Sequence, residues 1–450
     1  MNILDAPNEL LLLIGENLSI KDLFHLILTC NQLQYLLTPL LEKLGVQDVG
    51  EQTSLQWAAE RGHASLARLA ISKGVQIDEP SHEDSDARNP LHLAAKYNHP
   101  DVIRILATNG ATIDARDEHS RTPLHFAAQC CSPEAIRILI AHGAAVDARD
   151  EYSCTPLLLA TESNTPDVVR ILVAHGASIN ARDGHSRTPL HFAAQRNTAD
   201  FARILVAHGA KVNCRDECSR TPLHLAAECD SPEIIRILAV HGAKMDARDE
   251  YSQTPLHLAA ECDHADNIHV LVGHRATIDA GDDFSCTPLH LAASWSRAEA
   301  TRVLIKLGAN MMSTDRQMNM PGHDAAIGAS VACMAAFIEA GFAFDTRGCG
   351  GLTILHNAAA GKIAILEYLL RQNGVGTAIN LPDSNGFTPL HWAVSPRHGA
   401  LLLLHGADPE LKDNSGNTPT ILQYITNTSE PIDPGHESDD EDIWFSDIVE

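Results

Sequence analysis

The sequence predicts an all-α solenoid of about twelve helix-turn-helix units, preceded by a short three-helix module. Three observations carry this. The phrase RTPLHFAA stands at Arg121–Ala128 and again at Arg187–Ala194. Threonine opens the corresponding phrase at 122, 155, 188, 221, 254 and 287, always 33 residues apart. Hydrophobic residues make up 44% of the 450-residue chain but aromatics only 4%, so the core must be built from Leu, Ile, Val and Ala, which suit closely stacked short helices. A fixed period of this length marks a repeat architecture, and an array is exempt from the ~250–300-residue ceiling on a single core.

One unit shows why each element forms. Thr221 is a good N-cap, and Pro222 fits the first helical position, where its missing N–H is not needed. A first helix therefore starts there and breaks at Asp230. Ser231-Pro232-Glu233 repeats the cap and proline and adds an acid that favours the positive end of a second helix. Ile234, Ile235, Ile237 and Leu238 supply its buried stripe, and Gly242 can take the left-handed conformation that ends it. The following AKMDARDEYSQ is a turn-rich connection. Helices of ~8–10 residues are marginal alone, so each unit needs its neighbours to bury its apolar side. Upstream, Asn89 keeps the 33-residue step and Thr53 nearly does; downstream, Met320 and Thr353 hold it, while Thr388 and Thr418 drift.

The phrase TPLH.AA, the HGA after the second helix and the period together resemble the ankyrin repeat, over residues 50–426. The resemblance implies a helix pair plus a hairpin-like finger per unit, a concave face made of fingers and first helices, and a histidine that ties the finger to the helix start. The family usually has Gly two residues before the Thr, as at Gly351, Gly386 and Gly416. Ser120, Ser153, Ser186, Ser219, Ser252 and Ser285 stand there in the middle units. Either these serines are left-handed, at ~1–2 kcal/mol each, or their turn differs; a changed turn is the expectation.

Chemistry is not expected. His92, His125, His191, His224, His257 and His290 recur once per unit, and helices ~8–10 Å apart cannot bring two of them within the ~2.0–2.1 Å that zinc requires. Leu158 replaces this histidine in one unit. His142, His175, His208 and His241 lie near helix C-termini, where a bonded carbonyl is favourable. There is no glycine-rich phosphate loop, no CxxC pair and no nucleophile elbow, so no catalytic residue, metal or cofactor is assigned. With 33 basic and 58 acidic residues and a net charge of −25, the chain repels phosphate backbones, and nucleic acid is a poor partner. Eleven cysteines, an odd number over a long chain, do not resemble a disulfide framework. No apolar run approaches ~20 residues, and the N-terminus lacks a secretory pattern; a cytoplasmic or nuclear protein without a membrane partner is expected.

Columns that stay constant between units hold the scaffold, and columns that vary are free to encode a partner. Arg104, Arg137, Arg170, Arg203, Arg236 and Arg302 each follow an acid by three residues, a spacing worth only ~0.2–0.5 kcal/mol, and read as a solvated outer face. The finger-tip column reads His119, Tyr152, His185, Cys218, Tyr251 and Phe284. Beside it run Arg121, Cys154, Arg187, Arg220, Gln253 and Cys286, and, at the end of the first helix, Cys130, Ser163, Arg196, Cys229, Cys262 and Trp295. Exposed Tyr, Trp and Arg most often carry binding energy, so Arg121, Tyr152, His185, Arg187, Arg196, Arg220, Tyr251, Phe284 and Trp295 are the candidate partner-binding residues. Finger-to-finger packing is the alternative use. The acids Asp117, Asp150, Asp183, Asp216, Asp249 and Asp282 serve turns and neighbouring arginines, and would also favour a basic partner segment.

Residues 1–46 are Leu-rich and outside the repeat frame. Pro7, Glu9-Leu10, Ile14, Leu18, Asp22-Leu23, Leu26 and Cys30 resemble an F-box, although Ala6 stands where that family often has Leu and no tryptophan closes the motif. The resemblance implies that Pro7, Leu10, Ile14, Leu18 and Leu23 face the Skp-type adaptor of a cullin-RING ubiquitin ligase, with the repeats capturing an unknown protein substrate. A plain cap for the solenoid end is the alternative, which would leave a non-catalytic scaffold or inhibitor. Residues 427–450 concentrate acid around Ile443-Trp444-Phe445 and are expected to be a disordered tail.

Overall fold

The structure, a computed structural model, describes residues 53–80, 86–162, 165–328 and 330–421. The F-box-like segment, with Pro7, Leu10, Ile14, Leu18 and Leu23, and the acidic tail lie outside the described residues. The chain divides into two compact units, Met1–Glu250 and Tyr251–Glu450. Among the described residues there is no strand.

The first unit is a succession of helix pairs, here called rungs: α1 (Ser54–Arg61) and α2 (Ala64–Ser72), α3 (Pro90–Lys96) and α4 (Pro100–Thr108), α5 (Pro123–Gln129) and α6 (Pro133–Ala141), α7 (Pro156–Glu162) and α8 (Pro166–Ala174), α9 (Pro189–Gln195) and α10 (Ala199–Ala207), α11 (Pro222–Glu228) and α12 (Pro232–Val240). Within it, first helices pack on first helices and second on second, so Thr188 and Thr221 open helices lying side by side in one ladder. The second unit holds α13 (Pro255–Glu261) and α14 (Ala265–Gly273), α15 (Pro288–Ser294) and α16 (Ala298–Lys306), α17 (Pro321–Ile327) and α18 (Val331–Glu339), α19 (Ile354–Ala360) and α20 (Ile363–Leu370), then α21 (Pro396–Leu404).

First helices of seven residues, eight in α1, and second helices of mostly nine cannot stand alone in water. They persist because each buries its apolar stripe on the next: Ile234, Ile235 and Leu238 of α12 are fully buried, as are Val102, Ile103 and Leu106 of α4. The caps fall where the residues require. Thr221 is extended (φ −97°, ψ 165°) with Pro222 behind it, Asp230 turns left-handed between the helices, and Gly242 (φ 84°) follows the second.

Two expectations need correction. Among the described residues ten of the expected twelve units are helix pairs, and the eleventh departs from the pattern: Thr388 opens turns rather than a helix, and only α21 of that rung is helical. From Thr388 to Pro396 there are 8 positions, against 11 from Thr188 to Ala199, so there is no room for both a first helix and its break. The twelfth unit, at Thr418, leaves the described residues after Ile421. The finger serines, expected to sit in a changed turn, are left-handed, with φ of 60° at Ser120, 59° at Ser153, 62° at Ser186 and 61° at Ser219. Their backbone is held by the acid three residues earlier: Asp183 O accepts from Ser186 N, and Asp183 Oδ1 from the N–H groups of His185 and Arg187. Ser186→Gly therefore relieves strain of ~1–2 kcal/mol against a glycine entropy cost of ~0.5–1 kcal/mol. Urea denaturation should show a net gain of about 0.5–1 kcal/mol; a loss would mean that the serine side chain supports the turn.

Candidate protein-binding surface

Each finger is a closed five-residue turn. Asp117 N donates to Arg121 O (3.0 Å), while Asp117 Oδ1 accepts from His119 N (3.0 Å) and Arg121 N (2.8 Å). The same pattern holds at Asp150, Asp183 and Asp282. One backbone bond links each finger to the one before: Glu151 N to His119 O, Gly184 N to Tyr152 O, Glu217 N to His185 O and, in the second unit, Asp283 N to Tyr251 O and Arg316 N to Phe284 O.

The histidine column is a set of staples. In α9, Thr188 N donates to His191 Nδ1 (3.0 Å), the Thr188 hydroxyl lies 2.9 Å from the same nitrogen, and Nε2 reaches Arg220 O, in the next finger, at 3.2 Å. Because Nδ1 faces a backbone donor it must accept, so the proton sits on Nε2 and the ring is neutral. His125 reaches Cys154 O, His257 reaches Cys286 O, and His290 reaches Asn319 O in the same way. Burial drives His125, His191 and His290 below the ordinary histidine pKa, and His191 falls to about 4. His142, His175, His208 and His241 each bond the carbonyl four residues earlier at 2.7–2.8 Å. In the Leu158 rung the Thr155 hydroxyl is buried without a partner, and Leu158 packs with Ala181 and Phe192.

A further column escaped the sequence reading. Arg116 Nη1 bonds Ser120 O (3.0 Å) and Arg149 O (2.8 Å), Arg149 bonds Ser153 O and Arg182 O, and Arg215 bonds Ser219 O and Arg248 O. Each guanidinium thus closes its own finger and grips the next rung. Its constant 33-residue spacing was the available signal.

The candidate residues divide by engagement. Arg121 is half-buried, paired with Asp117 and Asp86 at 2.8 Å each, its guanidinium 4.7 Å from the Phe126 ring centroid. Arg187 pairs with Asp183 (2.9 Å) and covers Phe192 (4.5 Å), and Arg220 lies near Asp216 and Glu228. His185 meets Glu217 at 3.2 Å and remains exposed. In the first unit Tyr152 (66% exposed) and Arg196 face solvent; in the second unit Tyr251 (60%), Phe284 (63%) and Trp295 (56%) do so. Large apolar groups on an aromatic-poor chain are thus placed outward, on finger tips and at the end of a first helix. Among the described residues no cluster of His, Cys, Asp and Glu could hold a metal, and no helix is long and apolar enough to cross a membrane.

Comparison with known proteins agrees with this geometry. A family model described as ankyrin repeats (3 copies) matches residues 23–117, 113–183, 181–249, 240–315 and 323–413. A transient receptor potential cation channel subfamily A member 1 homolog of Caenorhabditis elegans is 35% identical over 68 residues, which is 15% of this chain and 5% of that protein. The chain therefore spans only a small part of that relative's length.

Proposed function

The chain belongs to the ankyrin-repeat family, whose arrays are protein-binding scaffolds, and from that premise we propose that it is a non-catalytic substrate receptor of a cullin-RING ubiquitin ligase. The observation that carries the ligase assignment is the F-box-like pattern in residues 1–46, directly ahead of the repeats. Pro7, Leu10, Ile14, Leu18 and Leu23 would contact the Skp-type adaptor, and the outward strip of fingers and first helices would hold the substrate. On this reading Tyr152, His185 and Arg196 act in the first unit and Tyr251, Phe284 and Trp295 in the second. Arg121, Arg187 and Arg220 shape the strip through the ion pairs described above.

A second reading, a scaffold or inhibitor whose residues 1–46 only cap the array, is favoured by the need of any solenoid end to cover its apolar face. Co-purification separates the two. The wild-type chain is expected to retain the adaptor, and Leu10→Asp with Leu23→Asp to lose it, while both keep their helical circular dichroism. Absence of the adaptor from the wild-type pull-down would defeat the ligase reading and leave the scaffold.

A further inference from the structure

In four rungs the finger ends in arginine, and the apolar residue five positions on is buried: Arg88 with Leu93, Arg121 with Phe126, Arg187 with Phe192, Arg220 with Leu225. In three rungs where the finger ends otherwise, that floor is half-open: Cys154 with Leu159, Gln253 with Leu258, Cys286 with Leu291. In these rungs the acids follow suit: Asp117, Asp183 and Asp216 are buried beneath their arginines, whereas Asp150, Asp282 and Asp315 are half-exposed; Asp383 and Asp413, whose fingers end in Phe387 and Asn417, are buried without one. The reason is direct: the guanidinium lies across the floor and takes the carboxylate's second oxygen, Asp117 Oδ2 at 2.8 Å and Asp183 Oδ2 at 2.9 Å.

The second unit lacks this arginine on consecutive rungs. Asp282 Oδ1 binds the N–H groups of Phe284 and Cys286, and Asp315 Oδ1 those of Gln317 and Asn319. Neither carboxylate has an ion-pair partner among the described residues. The position of Phe126 is held here by Asp324, whose carboxyl is pushed up to about 7 by burial and by the charge of Asp315. Beside these acids stand Phe284 and Met318, 63% and 61% exposed. An open apolar surface carrying uncompensated negative charge fits a cationic, not an anionic, occupant.

We infer that the finger groove of the second unit, at Cys286 and Asn319, binds a basic peptide segment of a partner protein, whose arginines occupy the places that the chain's own arginines fill in the first unit. This rests on the protein-binding reading and gives the partner its chemistry. Rungs ~8–10 Å apart match about three residues of extended chain at ~3.3 Å each, so the arginines should be spaced Arg-x-x-Arg.

The test uses the full chain and fluorescein-labelled 12-residue peptides: one with arginine at every third position among Gly, Ser and Leu, one with the same residues but its arginines contiguous, and one with Gln for Arg. The spaced peptide should bind at least tenfold more tightly than either control. Cys286→Arg with Asn319→Arg, which fills the groove from within, should weaken it tenfold or more without lowering the melting temperature. Asp282→Asn with Asp315→Asn, which keeps the Oδ1 acceptors of the turns, should do the same if the first variant folds poorly. Cys154→Arg, in the first unit, should leave binding unchanged. Equal binding of the Arg and Gln peptides, or equal weakening by Cys154→Arg, would overturn the groove. If protein partners are captured equally by the wild type and the double arginine variant, the groove fails while the protein-binding reading stands.

Discussion

His191→Leu is expected to destabilise the first unit by about 2–3 kcal/mol in urea denaturation. Leucine fills the volume but bonds neither Thr188 nor Arg220. The Thr188 N–H and hydroxyl lose the Nδ1 acceptor, and the Arg220 carbonyl keeps only the bond from Asp216 N (2.9 Å). An unmade bond at a buried polar group costs ~1–3 kcal/mol, and the apolar gain of leucine offsets part of it. The chain contains its own control, because Leu158 occupies the equivalent position and leaves the Thr155 hydroxyl bare. Leu158→His should accordingly gain about 1 kcal/mol by reaching Thr155 and the Arg187 carbonyl. Phe192 would stand beside the new ring as Phe126 stands edge-on to His92, with centroids 5.8 Å apart. A loss on Leu158→His, or a negligible effect of His191→Leu, would mean that the histidines fill space rather than staple.

Acidification from pH 7 to pH 4.5 is expected to be the larger effect on the whole array. Burial lowers the pKa of His92, His125, His191, His290, His323 and His356 in the folded chain from the unfolded value near 6.5. Above about pH 6.5 the rings are neutral in both states, and their contribution is fully present. As the pH falls, the unfolded chain takes up protons that the folded chain refuses, and stability declines until the folded pKa is passed, near 4 for His191. Each unit of separation is ~1.4 kcal/mol per group, so His191 alone loses about 2–3 kcal/mol by pH 4.5, and the other rings act in the same direction. In the second unit Asp324, raised to about 7, has the opposite sign and offsets part of the loss, since its folded form gains a proton as the pH falls. Urea midpoints measured against pH should drop steeply below pH 6.5. Midpoints that stay flat to pH 4.5 would show that the buried rings accept protons in place.

Local chemistry made the rungs legible. Thr221-Pro222 and Ser231-Pro232 mark helix starts through residues close in sequence. Only Thr221 is held by a capping box, with His224, while the Ser231 hydroxyl donates to Cys229 O, but both starts were readable. The left-handed Ser186 was not, because its conformation is fixed by the Asp183 carboxylate and by the next finger, through Glu217 N on His185 O. The finger arginines were legible as a variable column but not as ion pairs: Arg121 reaches Asp86, 35 residues away, a contact that exists only after stacking. The Arg116 column shows the reverse case. Its periodicity was in plain view, and its role as a clamp on the next rung needed coordinates.

Native-state hydrogen exchange on His191→Leu tests the dependence of each rung on its neighbour most directly. If rungs stand by leaning on one another, protection should fall in α9 and also in the finger from Asp216 to Arg220 and in α11, while α3 and α4 keep theirs. Loss confined to residues 188–195, with the next finger untouched, would contradict coupling between rungs.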